Sequence, residues 1–116
     1  MTWCTPLPDA VVRYYVDGLA SSRDPLRGSF SSYRAIDVTI AQNEQRKKRK
    51  LTLPVLAIGG GKGLGEGVAS TMRLAAENVE SKIIPDSGHW VAEEAPEQLL
   101  AVLTPFLAPY RDATAQ

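Results

Sequence analysis

The feature that most narrows the fold of this chain is the run Leu51-Thr52-Leu53-Pro54-Val55-Leu56-Ala57-Ile58, a short apolar stretch that breaks into glycines. A run of this length with apolar residues on both alternating positions suits a strand covered on both faces, the condition of a strand in a parallel sheet. Gly59, Gly60, Gly61, Gly63, Gly65 and Gly67 then form a loop, and Val68, Met72, Ala75 and Ala76 follow at helical spacing, with Asn78 as the stop. Ser81 to Pro85 reads as a second strand and Asp86-Ser87-Gly88 as a turn. Pro96 opens a last helix carrying Leu99, Leu100, Val102, Leu103, Phe106 and Leu107, which Pro105 is expected to kink. The pattern predicts an α/β fold with two strands, at about 52–58 and 81–85. A helix lies between them, so they are expected to be parallel and joined by a right-handed crossover.

Upstream of the first strand the chain reads as helical. Pro8 and Asp9 give a start signal, and Val11, Val12, Tyr14, Tyr15 and Leu19 recur at helical spacing until Gly18 and Ser21-Ser22 weaken the pattern. Asp24, Pro25 and Gly28 punctuate the chain again. From Ser29 a second helix is expected to run into the mid-forties, with Phe30, Tyr33, Ile36 or Asp37, and Ile40 on one stripe. It ends in Arg46-Lys47-Lys48-Arg49-Lys50, where positive charge complements the negative end of a helix dipole. The division read from this pattern is a helical segment over 1–28 and a single folding unit over 29–116.

Composition removes several function classes. Thirteen basic residues balance thirteen acidic ones, which argues against a general nucleic-acid binder; the basic run at 46–50 reads as a solvated helix end with no aromatic stacking platform beside it. No stretch approaches the roughly 18–20 apolar residues needed to cross a bilayer, and no basic n-region precedes an apolar h-region, so no membrane association and a cytoplasmic location are expected. With Cys4 the only cysteine and His89 the only histidine, neither an intrachain disulfide nor a metal cluster is expected. The run Gly59-Gly60-Gly61-Lys62-Gly63-Leu64-Gly65 invites a phosphate-loop reading, but a Walker A pattern would need glycine at Leu56 and a hydroxyl residue at Gly63. Glu93 and Glu94, adjacent at a helix start, read as partners of its dipole.

His89 is the residue with chemistry to offer. In Asp86-Ser87-Gly88-His89-Trp90 it follows a strand and precedes an apolar helix, which puts it past the carboxyl end of a parallel strand, where open α/β sheets place ligands and reacting groups. An imidazole titrating near ~6.5 moves protons at neutral pH.

On these residues the chain resembles a known family. LPVLAIGG with a following helix, and then SKIIPDSGHWVAEEAPEQLLAVLTPFL, look like the C-terminal part of α/β-hydrolase-fold enzymes of the epoxide-hydrolase and haloalkane-dehalogenase-like branch. Gly88, His89 and Trp90 match the turn that carries that family's catalytic histidine, and Glu94, Pro96 and Glu97 match the E-x-P-E segment after it. Ser31-Ser32-Tyr33-Arg34-Ala35 resembles the passage from cap to core, which makes 1–28 a cap-derived segment; Tyr33 falls where a tyrosine donates to the epoxide oxygen.

The resemblance implies hydrolysis of an epoxide, haloalkane or ester through a covalent intermediate, with His89 as the base that activates water and no cofactor. The acid that orients the histidine falls in relatives near Gly63, which cannot serve, and Glu66 is the substitute nearby. No G-x-D-x-G or G-x-S-x-G nucleophile elbow and no oxyanion-hole loop occur in these residues. The expectation is therefore a truncated hydrolase, inactive alone, that pairs with a complementing N-terminal hydrolase segment. The alternative is a non-catalytic homodimer that associates through the open sheet edge around Leu53–Ile58.

Overall fold

A computed structural model describes residues 6–112, which form two compact units, 6–49 and from residue 50 onward. Trp3 and Cys4 lie outside the described residues.

The first unit holds α1 (Asp9–Ala20), α2 (Arg23–Arg34) and α3 (Ile36–Arg46). The carbonyl of Pro8 accepts the N–H groups of Val11 and Val12 at 2.9 and 3.1 Å, and so starts α1. The residues expected to punctuate the chain instead open α2. Ser22 is its N-cap, with Asp24 in the first turn; Pro25 is tolerated there because the first N–H groups of a helix have no intrahelical acceptor to lose. The expected boundary at 28/29 thus falls within α2.

The single helix expected from Ser29 is two. At Ala35 the backbone leaves helical geometry (φ −92°, ψ 8°) before α3 begins. Just before this break the hydroxyls of Ser29, Ser31 and Ser32 donate to the carbonyls of Leu26, Arg27 and Ser29 at 2.8–2.9 Å, competition with the helix ladder of the kind that bends helices. The basic run is engaged locally: Lys47 pairs with Glu44 at 2.6 Å, while Arg46 and Lys48 donate to Asn43 and Gln45. None of the three helices contains a buried residue, and Tyr14, Val38 and Tyr33 are among the apolar and aromatic side chains left more than half exposed.

The second unit contains β1 (Val55–Gly60), α4 (Gly67–Met72), β2 (Val79–Ile84), α5 (Val91–Glu94) and α6 (Pro96–Asp112). β1 and β2 are parallel, from Val55 opposite Val79 to Gly60 opposite Ile84. The strand begins after Pro54, not at 52 as expected, because proline has no N–H to give the ladder. Leu51 keeps an isolated bridge instead, donating to the carbonyl of Ala75 and accepting from Glu77 at 2.8 and 2.9 Å. That bridge requires the chain after Met72 to leave the helix, so α4 stops short of Ala75 and Ala76. The Asn78 side chain then donates to the carbonyl of Thr52.

α6 remains a single helical element through Pro105 and Pro109. The core is thin: among the described residues the buried apolar ones are Ala57, Ala69, Ala76, Ala95 and Ile84, while Ile83, Leu100 and Leu107 stay about half exposed. No described helix is long and apolar enough to cross a membrane.

Candidate active site

The carboxyl ends of β1 and β2 deliver two loops that interlock through their backbones. From β2 comes Pro85-Asp86-Ser87-Gly88-His89-Trp90; from β1 comes the glycine loop. Gly61 N–H donates to the carbonyl of Ile84 at 2.8 Å and Lys62 N–H to that of Ser87 at 2.9 Å, while the N–H groups of Gly63 and Gly65 both donate to Gly60 O at 3.0 Å. These donors are thereby engaged inside the protein, so the glycine run does not present the open cradle of N–H groups that a phosphate loop needs.

The glycines have a different cause, which is close approach. A Cβ on Gly60 would lie 1.9 Å from the carbonyl oxygen of Gly88 and 2.6 Å from that of Ser87, and one on Gly63 would lie 2.8 Å from the same Gly88 oxygen. The histidine turn therefore rests on a floor that only glycine leaves low enough.

From the other side the turn is held by Glu94. Its Oε2 accepts the N–H of Gly88 at 2.7 Å and its Oε1 accepts the N–H of Trp90 at 3.0 Å. Sequence reasoning read Glu94 as a dipole partner and as part of the E-x-P-E match, and gave it no role at the histidine turn. The signal that could have given it that role is its spacing, six residues past Gly88 and four past Trp90.

His89 is exposed, just past the carboxyl end of β2 as expected, and its ring meets that of Trp90 edge to face, with centroids 5.2 Å apart and planes at 86°. The imidazole makes no hydrogen bond among the described residues, so both ring nitrogens are available to solvent or substrate. Ser87, two residues earlier, is fully buried, and its Oγ has no hydrogen-bond partner among the described residues. Asp86 is turned outward, its carboxylate 95% exposed and 3.4 Å from Lys62 Nζ.

Glu66 is placed elsewhere. One carboxylate oxygen accepts from the Ser81 hydroxyl and the other from the Arg73 guanidinium, at 2.5 and 2.7 Å. The Ser81 hydrogen bond, and after it that of Arg73, hold the Glu66 carboxyl below its ordinary titration range. Both oxygens thus tie the glycine loop to β2 and to the end of α4, and neither reaches His89. Tyr33 stands on α2 in the other unit, 70% exposed. No group of three metal-ligating side chains occurs among the described residues.

No protein-family model matches the chain. The soluble epoxide hydrolase of Corynebacterium sp. (strain C12) is 37% identical over 70 residues, which cover 60% of this chain and 24% of that enzyme. Among solved structures, Cfl2 from Burkholderia cenocepacia superposes with a TM-score of 0.77 at 33% identity, over 86% of this chain and 34% of that one. The epoxide hydrolase CorEH, determined without ligand, superposes with a TM-score of 0.54 at 37% identity, over 59% of this chain and 24% of its own. The chain spans about a quarter to a third of the length of these relatives.

Proposed function

We propose that this chain, an epoxide-hydrolase-like part of an α/β-hydrolase fold, carries the water-activating base of an epoxide, haloalkane or ester hydrolase, and that the base is His89. The observation that carries the reading is the placement of an exposed, unengaged imidazole just past the carboxyl end of a parallel strand, on a turn clamped from both sides.

In the proposed reaction on an epoxide, a carboxylate outside these 116 residues attacks a ring carbon, the carbon–oxygen bond breaks, and the oxygen takes a proton from a phenol such as that of Tyr33. His89 then removes a proton from water as its oxygen attacks the ester carbonyl. Collapse of the tetrahedral adduct releases the second diol oxygen, which takes the proton from the imidazolium, and leaves a carboxylic acid whose proton returns to the phenolate, so that carboxylate, phenol and neutral imidazole are all restored. The chain alone supplies a base without a nucleophile, so purified chain is expected to show negligible turnover of epoxides and p-nitrophenyl esters.

The test is a chimera in which the matching segment of the Corynebacterium enzyme is replaced by residues 51–107 of this chain. Epoxide turnover that collapses in His89→Ala supports the reading. A folded chimera that is inactive, or whose turnover does not depend on His89, overturns it. A cytoplasmic location belongs to the same proposal.

A second reading is favoured by one observation: among the described residues β1 has a strand partner on one side only. Unpaired ladder groups on an apolar strand invite pairing with another chain, and a second copy would form a homodimer. Light scattering that returns a monomer at high concentration removes this reading.

A further inference from the structure

We propose that Glu94 is a positioning residue for His89, acting through the backbone on either side of it; this rests on the reading of His89 as the base. The two carboxylate oxygens are divided between Gly88 N–H and Trp90 N–H, the peptide groups that bracket His89. Trp90 is held at its carbonyl as well, which accepts from the N–H groups of Glu93 and Glu94 at 3.1 and 2.8 Å. Glu94 thus closes a ring with Trp90, main chain to main chain in one direction and main chain to side chain in the other.

Capping α5 would account for the bond to Trp90 alone, since Trp90 is the N-cap of that helix. It does not account for Oε2, which reaches past the helix to Gly88, the residue whose carbonyl already lies against Gly60 and Gly63. With Gly88 pinned between the glycine floor and the carboxylate, and Trp90 pinned on both of its peptide groups, the main-chain torsions of His89 have little freedom. The Trp90 indole then fixes the ring itself through the edge-to-face contact at 5.2 Å. A base must hold its nitrogen within hydrogen-bond reach of the water it activates, so this restriction acts directly on the proposed reaction.

His89 is the only histidine, so its ring signals in an NMR spectrum of the full chain are unambiguous. In the wild type, an Overhauser contact between the His89 and Trp90 rings is expected, and the Gly88 and Trp90 amides should exchange at least about tenfold more slowly than unprotected amides, as befits hydrogen bonds to a charged acceptor. Glu94→Gln keeps the shape but leaves one acceptor. It is expected to speed exchange at Gly88 or Trp90 by about tenfold or more and to weaken the ring contact. Glu94→Ala should lose both, whereas Glu97→Gln, in the first turn of α6, should change neither.

The proposal falls if Glu94→Gln leaves the ring shifts, the ring contact and both exchange rates as in wild type. It also falls if the wild-type Gly88 and Trp90 amides exchange as unprotected groups, a result that stands even where Glu94→Ala does not fold. None of these readouts needs turnover. An inactive chimera with a Glu94-dependent His89 signal would refute the base and leave the clamp, and an active chimera insensitive to Glu94→Gln would refute the clamp and leave the base.

Discussion

Replacing Gly60 by alanine tests the close-approach account of the glycine loop most directly. An ordinary carbon–oxygen contact begins near 3.4 Å, and the new methyl would meet the Gly88 carbonyl oxygen at 1.9 Å, so that oxygen would have to retreat by about 1.5 Å. The neighbouring atoms are all backbone, so no side-chain rotation relieves the clash. A retreat of that size cannot keep both the Lys62 N–H bond to Ser87 at 2.9 Å and the Gly88 N–H bond to Glu94 at 2.7 Å. Overpacking costs about 1–3 kcal/mol, and losing one hydrogen bond to a charged acceptor about 1.5–3 kcal/mol more, so Gly60→Ala is expected to destabilise the unit by about 2.5–6 kcal/mol. This rivals the whole stability of a small domain. The matched control is Gly67→Ala at the start of α4, where the nearest atom to the new methyl is Leu64 Cβ at 4.0 Å. There, alanine should be neutral or stabilising by up to about 1 kcal/mol. Urea unfolding followed by circular dichroism measures both. If the two variants unfold at the same midpoint, the glycines serve loop flexibility and the floor beneath the histidine turn is not what they are for.

Ser87→Ala removes a buried hydroxyl that has no partner among the described residues, so it should stabilise the isolated chain by about 1–3 kcal/mol, read as a higher unfolding midpoint; a loss of similar size would show that the hydroxyl is bonded. Because the Glu66 carboxyl titrates lower in the folded chain than in the unfolded one, its contribution to stability is complete above the ordinary value of 4.5 and is lost as pH falls through the lowered folded value. Glu66→Gln should therefore flatten the acid limb of stability measured from neutral pH downward, and an unchanged limb would contradict the Ser81 and Arg73 contacts. In an assembly competent for epoxide turnover, Tyr33→Phe should lower kcat by about a hundredfold or more if the phenol donates to the opening oxygen, and leave it unaltered if the ring only packs.

What could be read from the sequence follows the range of the interactions involved. The parallel strands and the place of His89 were legible because strand, turn and helix follow one another locally, each with its own residue signature. The start of β1 was blurred because the apolar run continues through Pro54, and only the ladder reveals that the proline cannot join it. The break at Ala35 was invisible in the hydrophobic stripe, since the competition there comes from the hydroxyls of Ser29, Ser31 and Ser32. The glycine loop was recognisable as a loop, but the reason for Gly60 and Gly63 lies in Gly88, a residue far along the chain that a local pattern does not bring near. Glu66 looked available as an acid for the histidine because sequence distance says nothing about Ser81 and Arg73, which engage both of its oxygens.

The histidine turn and the core of its unit are stabilised by different means, and this bears on how a negative result for the isolated chain should be read. Among the described residues, four alanines and one isoleucine make up the buried apolar set, and a unit of this size buries too little surface to be more than marginally stable by packing alone. The turn buries Ser87 and Gly88 but contributes none of those apolar side chains. Its geometry is set by carbonyl-on-glycine contacts and by three N–H groups with near partners: Lys62 on Ser87, and Gly88 and Trp90 on Glu94. Such contacts hold over a few residues, and covering the half-exposed Ile83, Leu100 or Leu107 would leave them as they are. If the isolated chain fails to hydrolyse an epoxide while His89 still gives a fixed ring contact with Trp90, the failure belongs to the absent attacking carboxylate and not to a misplaced base. If the ring contact is absent from the isolated chain and returns in the chimera, the clamp depends on the rest of the fold, and the argument for its local origin is wrong.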